Sequence, residues 1–324
     1  MTELQSPRIA YGEALVELGA SNENVMVLSA DVSNSDHSYM FADAYPERFV
    51  NVGIAEQSLV DVAVGMAKCG KIPFANTFAF LFATRALEMI RSHLCYGRTN
   101  VKLMGAYAGL SDFFDGPTHH SISDIAIMRS LPGMTIVNPA DATAIRKLLP
   151  KVAEWDGPVF MRLSRNPIPV VFQEDYAPEI GKAVSLRDGE DVTLIGTGLM
   201  VFRCLEAAAQ LEMQNIHAGV LEIHTIKPLD EEAVQNAAEQ SGCLVTVEEH
   251  SVIGGLGSAV AEVVTDMNHP AIVKRVGIHD RYTETGPNEE LLDRYGMSIN
   301  DIMNSAVAAV QAKSVNPSTP TVAT

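Results

Sequence analysis

The chain has 324 residues, 47% of them hydrophobic, with 23 basic against 40 acidic side chains and a formal net charge of −17. That length suits two domains of ordinary size, each able to bury a core, and the negative balance argues against nucleic acid or an anionic membrane as partner, since both need clustered positive charge. Four cysteines, Cys69, Cys95, Cys204 and Cys243, form no CxxC pair and read as reduced, mostly buried thiols of a cytoplasmic protein.

The first residues carry no basic, apolar secretory signature, and no apolar run reaches the ~18 residues of a membrane helix. Short apolar runs at 25–28, 49–52, 72–76, 101–105, 135–137 and 159–163 read as strands. Between them, helical periodicity runs over 8–18, 55–69, 84–95, 121–130 and 140–152. Strands alternating with helices of this length predict βαβ units and a mostly parallel sheet. Around 165–190 the pattern breaks into Pro167, Pro169, Pro178 and several acids, the composition of a linker. A second α/β series follows. Its strands are expected at 192–195, 218–223, 244–248 and 273–277, and its helices at 200–213, 230–240, 257–265 and 288–295. The division is therefore 1–185, linker included, and 186–313, with a Ser-, Thr- and Pro-rich tail over 314–324 expected to be disordered.

Four runs carry candidate chemistry. The first is Asn51-Val52-Gly53-Ile54-Ala55-Glu56-Gln57, which puts an acid at the mouth of a helix after a short strand. Glu56 has two readings: a first-turn acid favoured by the helix macrodipole, or a buried carboxyl kept in its proton-donating form. Thr77-Phe78-Ala79-Phe80-Leu81-Phe82 follows a strand. Its three rings are either core or a stacking wall for a flat heterocycle. Phe113-Phe114-Asp115-Gly116-Pro117-Thr118-His119-His120 is a Gly-Pro loop bearing an acid and two histidines, and loops carry function disproportionately. Arg162-Leu163-Ser164-Arg165 ends a strand, where ligands of open α/β sheets gather and an arginine can grip phosphate. Thr197-Gly198 and Gly254-Gly255-Leu256-Gly257 complete no dinucleotide fingerprint and read as turns into helices.

In order and spacing these runs resemble the thiamine-diphosphate-dependent transketolase family, over roughly residues 6–312. The resemblance implies an α/β fold of two domains: a pyrimidine-binding domain and a transketolase C-terminal-type domain. It implies that Glu56 protonates N1′ of the aminopyrimidine and that Phe78 stacks on that ring, with Phe82 or Phe80 as a second aromatic. Asp31 would lie near cofactor and substrate, and Asp115 and His119 would bind sugar hydroxyls near the reacting carbons. Arg8, Ser35 and Arg165 would hold a sugar phosphate, with Tyr107 at the position of a substrate-binding histidine. The family's Gly-Asp-Gly diphosphate and Mg²⁺ motif is missing from these residues. The resemblance therefore implies the small subunit of a split transketolase. A two-carbon ketol unit would pass from a ketose (phosphate) donor to an aldose (phosphate) acceptor through a thiamine-bound carbanion. Thiamine diphosphate would be shared with a larger subunit that holds Mg²⁺, in an α2β2 assembly. The alternatives are the β subunit of a 2-oxoacid dehydrogenase, a deoxyxylulose-phosphate-synthase-like fragment, or a non-catalytic assembly subunit. Tyr107 in place of histidine, and Phe113 and Phe114 in place of a usual Gly-Glu, make the pocket bulkier and less polar, pointing away from ordinary pentose phosphates.

Overall fold

The computed structural model describes residues 3–315. The expected α/β architecture is present: two mostly parallel sheets flanked by helices. The first has seven strands, in spatial order Thr225–Lys227, Thr135–Val137, Val159–Leu163, Lys102–Ala106, Ile72–Phe78, Val25–Ser29 and Phe49–Asn51. All its pairings are parallel except the first, where Thr225 stands opposite Val137 in antiparallel register. The second has five strands, in the order Ile272–Ile278, Cys243–Ser251, Val192–Gly196, Ala218–Glu222 and Val184–Arg187, the last antiparallel. The strands of the first sheet are near-continuous apolar runs because helices cover both faces.

The helix Pro7–Ser21 starts where Ser6 accepts a hydrogen bond from the Ile9 amide and a proline fills the first turn. The helix Ala142–Glu154 starts likewise at Asp141, whose carboxylate accepts from the Ala144 amide at 2.7 Å. The other Asp141 oxygen accepts from the Val171 and Phe172 amides. This ties the proline-rich connection to the first sheet's flank.

Several expectations are corrected. The helix expected at 84–95 is broken into Ala79–Thr84, Leu87–Met89 and a π-helical turn Ile90–Cys95. The linker is not structureless. Ile168–Pro169 pairs with Leu4–Gln5, and Val184–Arg187 edges the second sheet. The 17-residue helix Ile299–Val315 went unpredicted, and it includes the first two residues of the expected tail. The rest of that tail lies outside the described residues.

The two halves share one apolar layer, in which Leu103, Ile136 and Phe160 of the first sheet cluster with Ile195, Leu221, Leu256 and Val260. They also share a buried polar seam. Arg162 donates to Asp124 at 2.7 and 3.3 Å and to the carbonyl of Glu249 at 3.3 Å. The Glu249 carboxylate in turn accepts from the Leu110 amide at 2.8 Å. No helix among the described residues is long and apolar enough to cross a membrane, and all four cysteines are free thiols, only Cys69 being exposed.

Candidate active site

Parallel strands deliver their last residues to one edge of a sheet, so strand order fixes which side chains become neighbours. Across the first sheet, the carboxyl ends present Arg165, then Tyr107, Phe78, Asp31 and finally Asn51 with Glu56 beyond it. Four strand spacings of roughly 4.8 Å make this a row of roughly 19 Å. Most residues singled out from the sequence fall on it or on the loops that close over it.

At one end Glu56 opens the helix Glu56–Lys68, whose Leu59, Val60, Ala63 and Val64 face the core. The preceding Ala55 offers no side-chain cap, so the acid is the polar side chain at this helix entrance. Asn51 shapes the approach: its side-chain oxygen accepts from the Gly53 amide at 2.9 Å, and Gly53 turns with φ +76°. Glu56 is 1% exposed, and its Oε2 accepts a hydrogen bond from Arg85 Nη1 at 3.1 Å. Arg85 was not foreseen; nothing in a separation of 29 residues along the chain announces the pair. Asp31 is exposed, left-handed at φ +63°, and accepts from Asn51 Nδ2 at 2.9 Å.

In the middle of the row stand Phe78 and Phe80, both half-buried, with ring centroids 6.5 Å apart and nearly parallel. The His119 ring lies 5.0 Å from Phe80 and 6.2 Å from Phe78. Phe82 is elsewhere. It is fully buried, edge-on to Phe160 at 6.4 Å, because the helix turn after Phe78 rotates it into the core. Of the two rings left open, Phe80 faces the row while Phe82 packs in the core.

The loop holding His119 and Asp115 is seated on the second half of the chain. His120, buried, meets Thr283 Oγ1 at 2.5 Å. A Cβ at Gly116, which has φ +75°, would lie 2.4 Å from Thr285 Oγ1. Burial drives the His120 imidazole down to about 4, so it stays neutral. Asp115 and Phe114 are exposed on this loop.

At the far end Tyr107 stacks on Phe78 at 4.7 Å and 18° while holding φ +57°, a strained setting for a bulky residue. Arg8 donates from Nε to the Arg165 carbonyl at 2.9 Å and from Nη1 to the Ser35 carbonyl at 2.8 Å. It also reaches the Tyr107 hydroxyl at 3.4 Å. Arg8, Ser35, Tyr107 and Arg165 thus meet in one place, Ser35 through its backbone. Arg165 pairs with Asp112, Nη1 to Oδ1 at 2.6 Å. Asp112 was missed, although it stands three residues before Asp115 on the same loop. Arg162 is not a ligand-facing residue: with Asp124 it is 2% and 0% exposed, and the pair belongs to the polar seam. The turns at 197–198 and 254–257 also serve the interior. Thr197 accepts from Asn138, and the amides of Leu256 and Gly257 donate to Glu248. Among the described residues no group of three His, Cys, Asp or Glu side chains is arranged to hold a metal ion.

The family described as transketolase, pyrimidine binding domain matches residues 5–170, and that described as transketolase, C-terminal domain matches 181–302. The chain is 38% identical over 306 residues to the 6-deoxy-6-sulfo-D-fructose transketolase subunit SqwH of Clostridium sp. (strain MSTE9), covering 94% of this chain and 95% of that one. It is 36% identical over 305 residues to an apulose-4-phosphate transketolase subunit of Phocaeicola vulgatus, covering 94% and 97%. Of the transketolase-like protein 2 of Mus musculus, 37% identical, it spans 48%. Among solved structures, a split gene transketolase described as an inactive beta4 tetramer superposes with TM-score 0.89 at 45% identity, over 94% of this chain and 98% of that one.

Proposed function

The chain belongs to the transketolase family, and from that premise we propose that it is the small subunit of a two-subunit transketolase. Its reaction moves a two-carbon ketol unit from a ketose or its phosphate to an aldose or its phosphate. The observation that carries this reading is the order of side chains along the first sheet: acid, aromatic pair, histidine and then two arginines. Relatives that are themselves transketolase subunits match along nearly their whole length, which supports a separate subunit.

The residues present fit the pyrimidine end of thiamine diphosphate: two half-buried rings beside the sheet edge, and a buried carboxyl at an uncapped helix entrance. The cofactor would supply the carbon nucleophile and the electron sink. Glu56 would hold a proton at ring atom N1′. Phe78 and Phe80 would cover the ring, excluding water from that proton. Asp115 and His119 would orient the sugar hydroxyls, with Asp31 close by. Arg8, Ser35, Tyr107 and Arg165 would line the substrate's far end. The diphosphate and Mg²⁺ would be held by a larger subunit, in an α2β2 assembly in the cytoplasm. Residues 1–185 would carry the pyrimidine site and 186–313 the C-terminal domain that seats the His119 loop.

The test is Glu56→Gln in the pair reconstituted with the larger subunit. Removing a placed proton donor is expected to lower ketol transfer on the order of a thousandfold, with melting temperature and assembly unchanged. Near-normal turnover would refute the role of Glu56. Full activity of the isolated chain would refute the division between two subunits.

A further inference from the structure

We propose that Asp112 sets the charge accepted at the substrate's far end. The site then takes sugars whose terminus is uncharged or singly charged in preference to a phosphate dianion. The proposal rests on the ketol-transfer reading of the same site.

Two arginines at one end of a pocket would ordinarily attract a dianion, but here both are already engaged. Arg165 Nη1 sits 2.6 Å from Asp112 Oδ1, and the Asp112 side chain is 0% exposed against 23% for Arg165. Around the same guanidinium stand Tyr107 at 4.7 Å, Phe113 at 5.5 Å and Phe114 at 5.3 Å to their ring centroids. One edge of this guanidinium is thus held by a buried carboxylate and three rings crowd its faces, so its positive charge is partly offset before any ligand arrives.

Arg8 is partly engaged as well, through Nε and Nη1. Its donors go to the carbonyls of Arg165 and Ser35 and to the Tyr107 hydroxyl. Arg165, by contrast, is faced directly by a buried acid.

Asp112 is also more than a counter-ion. Its second oxygen, Oδ2, is buried without a hydrogen-bond partner. A buried acceptor with no donor is costly, and its charge disfavours a further negative group beside Arg165. Burial and the neighbouring Asp115 carboxylate push Asp112 up to about 6, which leaves it ionised above neutrality. Within a few ångströms of a dianion, and shielded from solvent, that charge is worth far more than it would be at the surface.

The test uses the reconstituted pair at pH 8, with D-xylulose and D-xylulose 5-phosphate as alternative donors to glycolaldehyde. For the unaltered pair, kcat/KM for the phosphorylated donor is expected not to exceed that for the free sugar. Asp112→Asn and Asp112→Gly should each raise the ratio of phosphorylated to free by about tenfold or more, as one repelling charge is lost. A ratio clearly above one in the unaltered pair overturns the proposal without any variant. So does an unchanged ratio in the folded variants, or an equal loss on both donors, which would make Asp112 a scaffold residue. Failure of the unaltered pair to use either donor, or any other ketose, would instead overturn the ketol-transfer reading beneath it.

Discussion

Replacing Arg162 by methionine tests the polar seam between the two halves. The substitution removes both hydrogen bonds to Asp124 and those to the carbonyls of Ser121 and Glu249. Asp124, 0% exposed, is left with the His250 ring, its Nε2 4.0 Å away, as its nearest basic side chain. Removing one member of a buried pair costs about 3–5 kcal/mol, because the survivor is stranded in low dielectric. Removing both with apolar residues of similar volume is often close to neutral. Arg162→Met and Asp124→Leu should therefore each lower unfolding free energy by about 3–5 kcal/mol, and the double variant by clearly less than their sum, with a coupling of about 2 kcal/mol or more. The assay is urea unfolding of the purified chain followed by circular dichroism and tryptophan fluorescence, which also checks that the slopes agree. A loss below about 1 kcal/mol in Arg162→Met, or strict additivity of the pair, would refute the reasoning.

Gly109→Ala should destabilise by about 2 kcal/mol or more, since φ is +63° and a Cβ there would lie 2.4 Å from Glu249 Cδ; a melting temperature equal to the parent's would contradict this. Phe82→Ala should cost about 3–5 kcal/mol in urea unfolding through the cavity left against Phe160, whereas Phe80→Ala should cost far less; the reverse ranking would mean that the two rings have been assigned wrongly. Burial pushes Glu222 up to about 8 and Glu249 up to about 7, both from 4.5. Their stability contributions are complete below about 4.5 and lost as pH rises through about 7 to 8. The melting temperature should fall over that range and fall less in Glu222→Gln; an identical fall in the variant would count against it. On the acid side, His120 and His224 are lowered from 6.5 to about 4, so their contribution is lost as pH falls from about 6.5 to 4, opposing the gain from the two carboxyls; the acid-side fall in melting temperature should be smaller in His224→Gln, and an unchanged profile would count against it.

The parallel strands were legible because each is a compact apolar run between turn residues, and their order along the chain identified the edge where ligands gather. The carboxyl at Glu56 and the aromatic at Phe78 could be found from motif spacing. Their partners could not. Arg85 and Asp112 meet the motif residues through loop closure, and pairwise contact across 29 or 53 residues leaves no local periodicity. The same holds for Phe82. Whether a ring in Phe-Ala-Phe-Leu-Phe points inward or outward depends on a helix starting at Ala79, and the run is apolar on every side. The helix Ile299–Val315 escaped because its alanine-rich sequence has only weak amphipathic contrast.

The short strand Thr225–Lys227 has a consequence in time. It covers the open side of Thr135–Val137, yet it emerges from the ribosome some 88 residues after Val137. At about 5–20 residues per second, that strand waits roughly 4–18 seconds before its neighbour has been made. During that interval the nascent first half presents a bare sheet edge, the kind of surface on which one chain templates another. The order of synthesis thus sets a window of vulnerability, which closes only when the second half has begun to form.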